Sequence, residues 1–353
     1  MMKFLSVLTM LFFPLVALAG EPYEAEPRVV GGIPSANNEV PWQLFLVTEY
    51  IGTRPQQCGA VYIGDGYALS AAHCFFNNQG NRNISLELFG GATSSEGFKQ
   101  GTGFGATVVI NPNYNAQLIS DDIALLKIQG DLPANIQPIK LASQADQVAM
   151  DQLFANTYSE TQSTQFNLLV SGWGKTSGNS AFTSSILRQT VLGGVPDNIC
   201  RTQWGGGATI VNSIHLCATS SEPELVRESC SGDSGGPLVW QDPDHVADAD
   251  RGLRLAGIVS FGIKTCDQTK PPGVYAQVSN YLDFIQENTG GSLPVVNPTF
   301  TENPFDASKY SGVGDEPGSG GGIIGTNGGG SSFSLWGLLL LGVAAVGRIK
   351  LRK

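Results

Sequence analysis

The chain alternates between short apolar runs and turn-forming residues over most of its length. Runs of this kind at 43–47, 107–110 and 253–259 are separated by stretches rich in Gly, Pro, Asn and Asp. Short apolar runs between turn signals are typical of β-strands. One amphipathic helix pattern occurs at 279–288, where Tyr281, Leu282 and Ile285 share a face. The pattern predicts a mainly β domain that ends in a helix.

The N-terminus departs from this pattern. Residues 1–19 contain Lys3, an apolar run at 4–18 and the small-residue ending ALA at 17–19. This arrangement indicates a secretory signal peptide that is cleaved after Ala19. A membrane anchor is the alternative interpretation, although the run is short for a helix that spans a bilayer.

The C-terminus departs from it as well. Residues 290–334 lose hydrophobic periodicity and are rich in Gly, Pro, Ser and Asn, which predicts a flexible linker. An apolar segment follows at 335–347, and residues 348–353 contain four cations. The apolar segment is marginal in length for crossing a bilayer, and the positive-inside rule would keep the basic end in the cytoplasm.

This tail resembles the GlyGly-CTERM sorting signal of Gram-negative bacteria. The resemblance implies two partners, a rhomboid-type protease that cuts near the Gly/Ser stretch and a type II secretion machinery. Residues 335–353 are therefore interpreted as a sorting or anchor segment in transient or lasting contact with a membrane. A plain C-terminal anchor is the alternative. Either interpretation places the protein outside the cytoplasm, secreted or at the cell surface.

Composition narrows the class of protein further. Charged residues make up 14 % of the chain and the net charge is -10. An acidic chain has no electrostatic reason to bind nucleic acid. The six cysteines contain no CxxC pair, which argues against a zinc ribbon and favours three disulfides in an exported protein. Parity alone leaves all fifteen connectivities open.

The strongest chemical motif is GDSGGP at 232–237. A serine hydroxyl is a weak nucleophile, so it needs a base and an oxyanion site beside it. Glycines on both sides of Ser234 let the backbone turn sharply and direct N–H groups to one point. A glycine-rich turn without chemistry is the alternative.

Two further motifs supply the partners that such a serine requires. His73 lies in LSAAHC at 69–74, where small neighbours leave room around an imidazole. Asp122 lies in DDIALLKI at 121–128, where an acidic pair leads into an apolar strand. A buried carboxylate there would hold the histidine tautomer and stabilise the imidazolium. An Asp pair in a turn is the alternative interpretation.

Other segments complete an ordered set of landmarks. They are RVVGG at 28–32, PWQ at 41–43, SGWG at 171–174, VSFG at 259–262 and PGVY at 272–275. With these motifs, residues 29–289 resemble the trypsin-like, chymotrypsin-fold serine endopeptidases. The resemblance implies an all-β fold of two antiparallel six-stranded barrels with a C-terminal helix and the site in the cleft between the barrels.

The resemblance also implies a role for each motif residue. His73 would act as general base and then acid, Asp122 would orient it, and Ser234 would be the nucleophile. The backbone N–H groups of Gly232 and Ser234 would form the oxyanion hole. The substrates would be proteins or peptides, and the implied reaction needs no metal and no cofactor.

The substrate pocket is where the sequence departs from the family. Members that cleave after Arg or Lys have Asp at the pocket base, two residues before a cysteine, whereas this chain has Glu228. A carboxylate there favours a cationic side chain, so we expect cleavage after Arg and Lys. If Glu228 turned to solvent, the pocket would accept apolar residues instead. The resemblance assigns five more residues to the pocket: Ser229, Ser260, Phe261, Gly262 and Gly273.

Family members are made as zymogens. Residues 20–28 would be the propeptide, and Arg28-Val29 would be the bond that a trypsin-like protease cuts. The resemblance implies that the freed Val29 ammonium then pairs with Asp233, because a buried carboxylate without a partner is unfavourable. That pair would order the pocket and the N–H of Gly232.

The resemblance further selects one disulfide connectivity: Cys58–Cys74, Cys200–Cys217 and Cys230–Cys266. The competing hypothesis is a catalytically silent homologue that serves as a binding module. Silent homologues lose residues of the catalytic triad, and this sequence retains all three.

Overall fold

The computed structural model describes residues 29–77, 79–98, 103–177, 180–181, 183–206, 210–263, 265–266 and 268–311. All of them belong to one unit, Met1–Gly318, and a second unit, Ser319–Lys353, lies entirely outside the described residues. The predicted signal peptide, propeptide and sorting tail lie outside them too. Within the described ranges, no helix combines the length and the apolar content needed to cross a bilayer.

Strands dominate the described structure. In chain order they are β1 (Ile33–Pro34), β2 (Gln43–Glu49), β3 (Gln56–Gly64), β4 (Tyr67–Ser70), β5 (Ser85–Gly90), β6 (Ala106–Ile110), β7 (Ala124–Ile128), β8 (Lys140–Leu141), β9 (Leu168–Gly172), β10 (Arg188–Val195), β11 (His215–Thr219), β12 (Pro237–Gln241), β13 (Leu253–Phe261) and β14 (Gly273–Gln277). The apolar runs at 43–47, 107–110 and 253–259 correspond to β2, β6 and β13, as predicted.

The strands form two mainly antiparallel sheets, one in each half of the domain. The first has the order β5-β2-β3-β4-β7-β6. The second closes on itself because β9 pairs with both β10 and β12, and the ring is completed by β11, β14 and β13. The fold is therefore the predicted one, with two six-stranded antiparallel barrels, one of them a half-barrel.

Side-chain burial explains why these runs form strands. Along β2, Leu44, Leu46 and Thr48 are fully buried and alternate with less buried residues, as the two-residue period of a half-buried strand requires. β10 is buried along its whole length. A Cβ on Gly194 of β10 would lie within 2.4 Å of the Phe154 ring, so this strand is covered from outside the barrel.

Four α-helices occur in the described ranges: α1 (Ser95–Phe98), α2 (Gln144–Thr157), α3 (Asp197–Gln203) and α4 (Leu282–Asn288). The predicted helix at 279–288 is α4, preceded by a 3₁₀ turn, Val278–Tyr281. The sequence reading missed α2. This helix begins at a capping box, in which the hydroxyl of Ser143 accepts from the N–H of Asp146 and the Asp146 carboxylate accepts from the N–H of Ser143.

The flexible-linker prediction is wrong for residues 290–311, which we call the C-terminal strap. Its apolar side chains Phe300, Phe305 and Tyr310 are buried at 5 %, 7 % and 4 % exposure. The Phe300 ring packs edge-on against Trp42 with 5.0 Å between ring centroids. A few buried aromatic residues hold the strap in place, although its composition is that of a linker.

The polar segment at 241–251 binds the C-terminal strap. The sequence alone predicts no function for this segment. Arg251 donates from Nε to the carbonyl oxygen of Phe300 at 3.0 Å and from Nη2 to that of Thr301 at 2.9 Å. The N–H of Phe300 donates to the carbonyl oxygen of Ala249 at 3.0 Å. These bonds satisfy the backbone of a segment that forms no strand or helix there.

Candidate active site

His73 and Asp122 meet at the junction of the two barrels. His73 lies in a 3₁₀ turn, Ala72–Phe75, directly after β4, and Asp122 lies just before β7, the strand that pairs with β4. The Nδ1 of His73 lies 2.7 Å from Oδ2 of Asp122, and the His73 backbone N–H donates to Oδ1 at 2.8 Å. The pairing of two neighbouring strands therefore aligns the carboxylate with both the ring and the backbone of the histidine.

The second barrel adds a third donor to the same carboxylate. The hydroxyl of Ser260, near the end of β13, donates to Oδ2 of Asp122 at 2.5 Å. Asp122 is 1 % exposed, so its charge depends on these donors in place of water. Residues from both halves of the domain thus fix a single carboxylate.

Electrostatics in this pair favour charge separation. Burial works against a charged imidazole, but attraction to Asp122 and its hydrogen bond outweigh burial, so the pKa of His73 is raised above 6.5. Burial likewise works against the Asp122 carboxylate, but attraction to His73 and the bonds from His73 and Ser260 outweigh it, so the pKa of Asp122 is lowered. The carboxylate is ionised, and the ring can accept a proton beside it.

Ser234 lies on a tight loop that approaches the same point from the second barrel. Its carbonyl oxygen accepts from the N–H of Gly59 at 2.7 Å. The Sγ of Cys74 lies 3.7 Å from that oxygen and 3.8 Å from Nε2 of His73. Ser234 is half-buried. The structure therefore brings the serine backbone and Nε2 of His73 close to the same cysteine sulfur.

The loop before Ser234 depends on glycine. Gly232 has φ 101°, in the region that only glycine adopts without strain. A Cβ there would also lie 3.0 Å from the Cα of Gly174. A side chain at this position would therefore distort the loop that sets the direction of the Gly232 and Ser234 backbone N–H groups.

Asp233, between these two residues, points into the protein. Its carboxylate accepts from the N–H of Gly174 at 2.7 Å and from the N–H of Cys230 at 2.9 Å. Asp233 is fully buried, and burial raises its pKa to about 7 despite these two bonds. Two backbone donors are not enough to stabilise a buried carboxylate, so the site favours an additional cation.

The segment Val29 to Gly32 lies in the second barrel close to these loops. Val29 is fully buried, and its carbonyl oxygen accepts from the N–H of Gly32 at 2.7 Å. Val30 pairs with Glu228, whose N–H donates to the Val30 carbonyl oxygen at 3.3 Å. Arg28 lies outside the described residues.

Glu228 lies at the base of the predicted pocket and is 3 % exposed, so it is not turned to solvent. A Cβ on Gly262 would lie 3.0 Å from its Oε1 and 4.0 Å from the Cα of Gly273. The Glu228 carboxylate therefore lies directly beside Gly262, where a side chain would crowd it. Ser229 Oγ lies 3.3 Å from the Tyr275 hydroxyl.

Phe261, which the resemblance assigns to the pocket, lies among other aromatic rings. Phe261 packs edge-on against Trp204 and His215, with ring centroids 5.4 and 5.6 Å apart. His215 is buried and its Nδ1 accepts from the N–H of Val211, so it is a packing residue. Of the three histidines, His73 alone is paired with a buried carboxylate near the serine.

Three disulfides tie these loops to the barrels: Cys58–Cys74, Cys200–Cys217 and Cys230–Cys266. The first joins β3 to the His73 turn, and the third joins the loop before Ser234 to the far wall of the pocket. The pairs are those that the family resemblance implies.

The Trypsin family model matches residues 29–285. This chain belongs to the trypsin family of serine endopeptidases. The trypsin-family match begins at Val29, the first residue after the predicted activation bond, and ends within α4.

Curated relatives agree with this family, and two trypsins are covered over nearly their whole length. Trypsin-1 of Astacus astacus is 32 % identical over 265 residues, which cover 74 % of this chain and 99 % of the relative. Trypsin of Xenopus laevis is 30 % identical over 291 residues, covering 81 % and 98 %. Transmembrane protease serine 9 of Rattus norvegicus is 30 % identical over 288 residues, but only 24 % of that protein is covered.

Sequence reasoning predicted the residues that are proposed for this site, but it missed the residues that support them. The Ser260–Asp122 bond has a signal only in the VSFG landmark, whose serine was assigned to substrate binding. The contacts of the C-terminal strap had no signal, because its aromatic residues are widely spaced among Gly, Pro and Asn.

Proposed function

We propose that this chain is an exported, trypsin-like serine endopeptidase that acts through His73, Asp122 and Ser234. The observation that carries the proposal is the Asp122 carboxylate, buried and held by three donors, one of which is the Nδ1 of His73. This bond fixes the tautomer that leaves Nε2 free to accept a proton. Nε2 lies 3.8 Å from Sγ of Cys74, the sulfur that also lies 3.7 Å from the Ser234 carbonyl oxygen, which supports this pairing.

The reaction would proceed in two halves. Nε2 of His73 takes the hydroxyl proton as Ser234 Oγ attacks the scissile carbonyl carbon, and the imidazolium then protonates the leaving amine. Water, deprotonated by the same nitrogen, attacks the acyl-enzyme and releases Ser234. Asp122 stays ionised throughout and stabilises the imidazolium, consistent with its lowered pKa.

The developing oxyanion would be held by the backbone N–H groups of Gly232 and Ser234. The left-handed conformation of Gly232 supports this proposal, because it allows the loop to direct successive N–H groups to one side. Fixed donors of this kind need no reorganisation when charge develops on the carbonyl oxygen.

Primary specificity would be for Arg and Lys. The support is a buried carboxylate, Glu228, whose Oε1 lies beside Gly262, a residue without a side chain. A cationic side chain that reached this carboxylate would gain a charge-assisted hydrogen bond. The extra methylene of glutamate, relative to the family's Asp, shortens the pocket and would influence the choice between Arg and Lys.

Activation would follow cleavage of the Arg28-Val29 bond. The support is a fully buried Asp233 whose pKa is raised to about 7, next to loops that also hold the buried Val29. A new Val29 ammonium would supply the cation that this carboxylate lacks. Secretion through residues 1–19 and sorting through residues 335–353 belong to the same proposal, with the family's disulfides as support for an oxidising compartment.

The test uses protein cut at Arg28 and a series of peptides that differ only in the residue before the scissile bond. Cleavage after Arg and Lys, abolished in Ser234→Ala, is expected, and a fluorophosphonate should label Ser234 only in the cut form. Cleavage after apolar residues alone would overturn the specificity. No cleavage and no labelling, with a verified Val29 N-terminus, would instead indicate the silent homologue.

A further inference from the structure

The segment after the activation bond is held between two elements of the second barrel. On one side, a Cβ on Gly31 would lie 2.5 Å from the carbonyl oxygen of Val226 and 2.7 Å from Cγ of Arg227. On the other side, the hydroxyl of Thr190, on β10, donates to the Gly31 carbonyl oxygen at 3.2 Å. The segment can keep this course only while β10 and the loop at 226–228 keep their spacing.

Tyr310 of the C-terminal strap connects these two elements. Arg227 donates from Nη2 to the carbonyl oxygen of Tyr310 at 3.2 Å. Gln189 of β10, which pairs with Ile33, donates from Nε2 to the Tyr310 hydroxyl oxygen at 2.8 Å. Tyr310 thus contacts both of the elements between which the segment Val29–Gly32 is held.

Tyr310 is itself firmly placed. It is 4 % exposed, and its hydroxyl donates to the carbonyl oxygen of Pro304 at 2.7 Å. Next to it, the Nζ of Lys309 lies 2.5 Å from Oε1 of Glu39, a residue that is 2 % exposed. The hydrogen bond of Tyr310 and the ion pair of Lys309 hold the end of the strap in place.

We propose that Tyr310 is a positioning residue for activation. It acts through Gln189 and Arg227 to hold the Val29–Gly32 segment between β10 and the loop at 226–228. The inference rests on the proposed activation at Arg28-Val29. Its consequence reaches the pocket, because Arg227 adjoins Glu228, and the N–H of Glu228 donates to the Val30 carbonyl oxygen. The family-matched region ends at residue 285, so the strap lies outside it. The strap nevertheless contacts Gln189 and Arg227 inside that region.

The physical basis is a conformational equilibrium. The cut enzyme exchanges between an active form, with the Val29 amine buried, and a form with the segment released. Contacts made only when the segment is in place shift this equilibrium toward the active form. Tyr310 contributes such contacts indirectly. Without its side chain the Gln189 amide loses a hydrogen bond, and Arg227, which keeps its ion pair with Glu222, loses a firmly placed acceptor.

The test measures how fast cyanate carbamylates the Val29 amine in the full chain cut at Arg28, by mass spectrometry of the N-terminal peptide. A buried amine reacts only through the released form, so the rate reports the released fraction. Loss of the two hydrogen bonds of the hydroxyl should raise the rate about threefold in Tyr310→Phe. Loss of the buried ring as well should raise it about tenfold in Tyr310→Ala, and both variants keep the backbone carbonyl that accepts from Arg227. The fraction of enzyme titrated by a fluorophosphonate should fall in the same order.

The matched control is Phe300→Leu, which weakens the same strap where it packs on Trp42, away from the activation segment. It should lower the melting temperature as much as Tyr310→Phe does, yet leave the carbamylation rate of Val29 at the wild-type value. A purely structural role for Tyr310 would instead make the rate follow the melting temperature in all three variants, and that result would overturn the proposal.

The two proposals fail in different ways. If the wild-type cut enzyme is active and its Val29 is protected, but Tyr310→Ala has the same protection, only the positioning role is overturned. If Val29 of the wild-type cut enzyme reacts as fast as a free peptide amine, activation by insertion is wrong, and the role of Tyr310 falls with it.

Discussion

The hydroxyl of Ser260 donates to the same Asp122 oxygen that lies against Nδ1 of His73. A serine from the second barrel therefore stabilises the charge of a carboxylate held by the first. We expect Ser260→Ala to lower kcat/KM about tenfold, because hydrogen bonds to charged groups are stronger than neutral ones. Steady-state kinetics will measure it. Ser279→Ala, which removes another buried hydroxyl far from the site, should change kcat/KM by less than about twofold.

The raised pKa of His73 sets the acidic limit of activity. The ring must be neutral to accept the serine proton, so kcat/KM should rise with pH through a midpoint above 6.5. Asp122→Asn should lower kcat about 10⁴-fold, because the ring loses its fixed tautomer. Asp121→Asn is the neighbouring control and should leave the profile unchanged. An acidic midpoint well below 6.5 would contradict the paired charges.

The charge of Glu228, and not only its shape, should decide primary specificity. Glu228→Gln keeps the volume and removes the charge, so kcat/KM for Arg peptides should fall about 10²-fold, the cost of leaving a buried cation unpaired. Glu228→Asp keeps the charge at the family's usual length and should retain cleavage while changing the Arg-to-Lys ratio. Equal activity of wild type and Glu228→Gln on Arg peptides would contradict this role.

The uncut chain should lose stability as pH rises. The pKa of Asp233 is raised from 3.8 to about 7, so its ionisation favours the unfolded state by roughly 4 kcal/mol once the pH exceeds 7. If the proposed activation is correct, the Val29 ammonium would offset this cost after cleavage. In the Ser234→Ala background, the melting temperature of the cut form should therefore exceed that of the uncut form by a margin that grows between pH 5 and pH 7.

Asp233→Asn provides the control, because it cannot ionise and should make that margin independent of pH. A margin that stays constant with pH while Asp233 is present would show that cleavage stabilises the protein by another route.

The C-terminal strap should contribute to global stability. Phe300 is 5 % exposed and packs on the fully buried Trp42, so Phe300→Ala should lower the free energy of unfolding by about 3 kcal/mol. Denaturant titration measures it. Val295→Ala, in the same strap but with Val295 82 % exposed, should have no measurable effect. A similar small effect of both variants would mean that the strap does not belong to the folded domain.

The fold could be predicted because its signals are local. Apolar runs such as 253–259 lie between turn residues. Each of the motifs GDSGGP, LSAAHC and DDIALLKI is a continuous stretch of sequence. The candidate active-site residues were predicted in the same way, each from its neighbours in sequence. The pairing of Ser260 with Asp122 is not local, and only the approach of the two barrels creates it.

The two missed features have separate causes. α2 carries only three buried residues, Gln147, Met150 and Phe154, so its amphipathic pattern is weak and the capping box at Ser143 was the available signal. The strap has no hydrophobic periodicity because it packs along the surface of the barrels. Its order comes from partners that are distant in sequence. Phe300 contacts Trp42, near the other end of the domain, and Arg251, which lies 49 positions earlier.

The end of the strap has a geometric consequence for the whole precursor. Tyr310 touches Arg227, which packs against Gly31, so the last described residues and the start of the mature domain lie on one side of the protein. Tyr310 and Gly31 are thus neighbours in space although they lie at opposite ends of the described sequence. A protein that binds the end of the strap would therefore also restrict access to the start of the family-matched region.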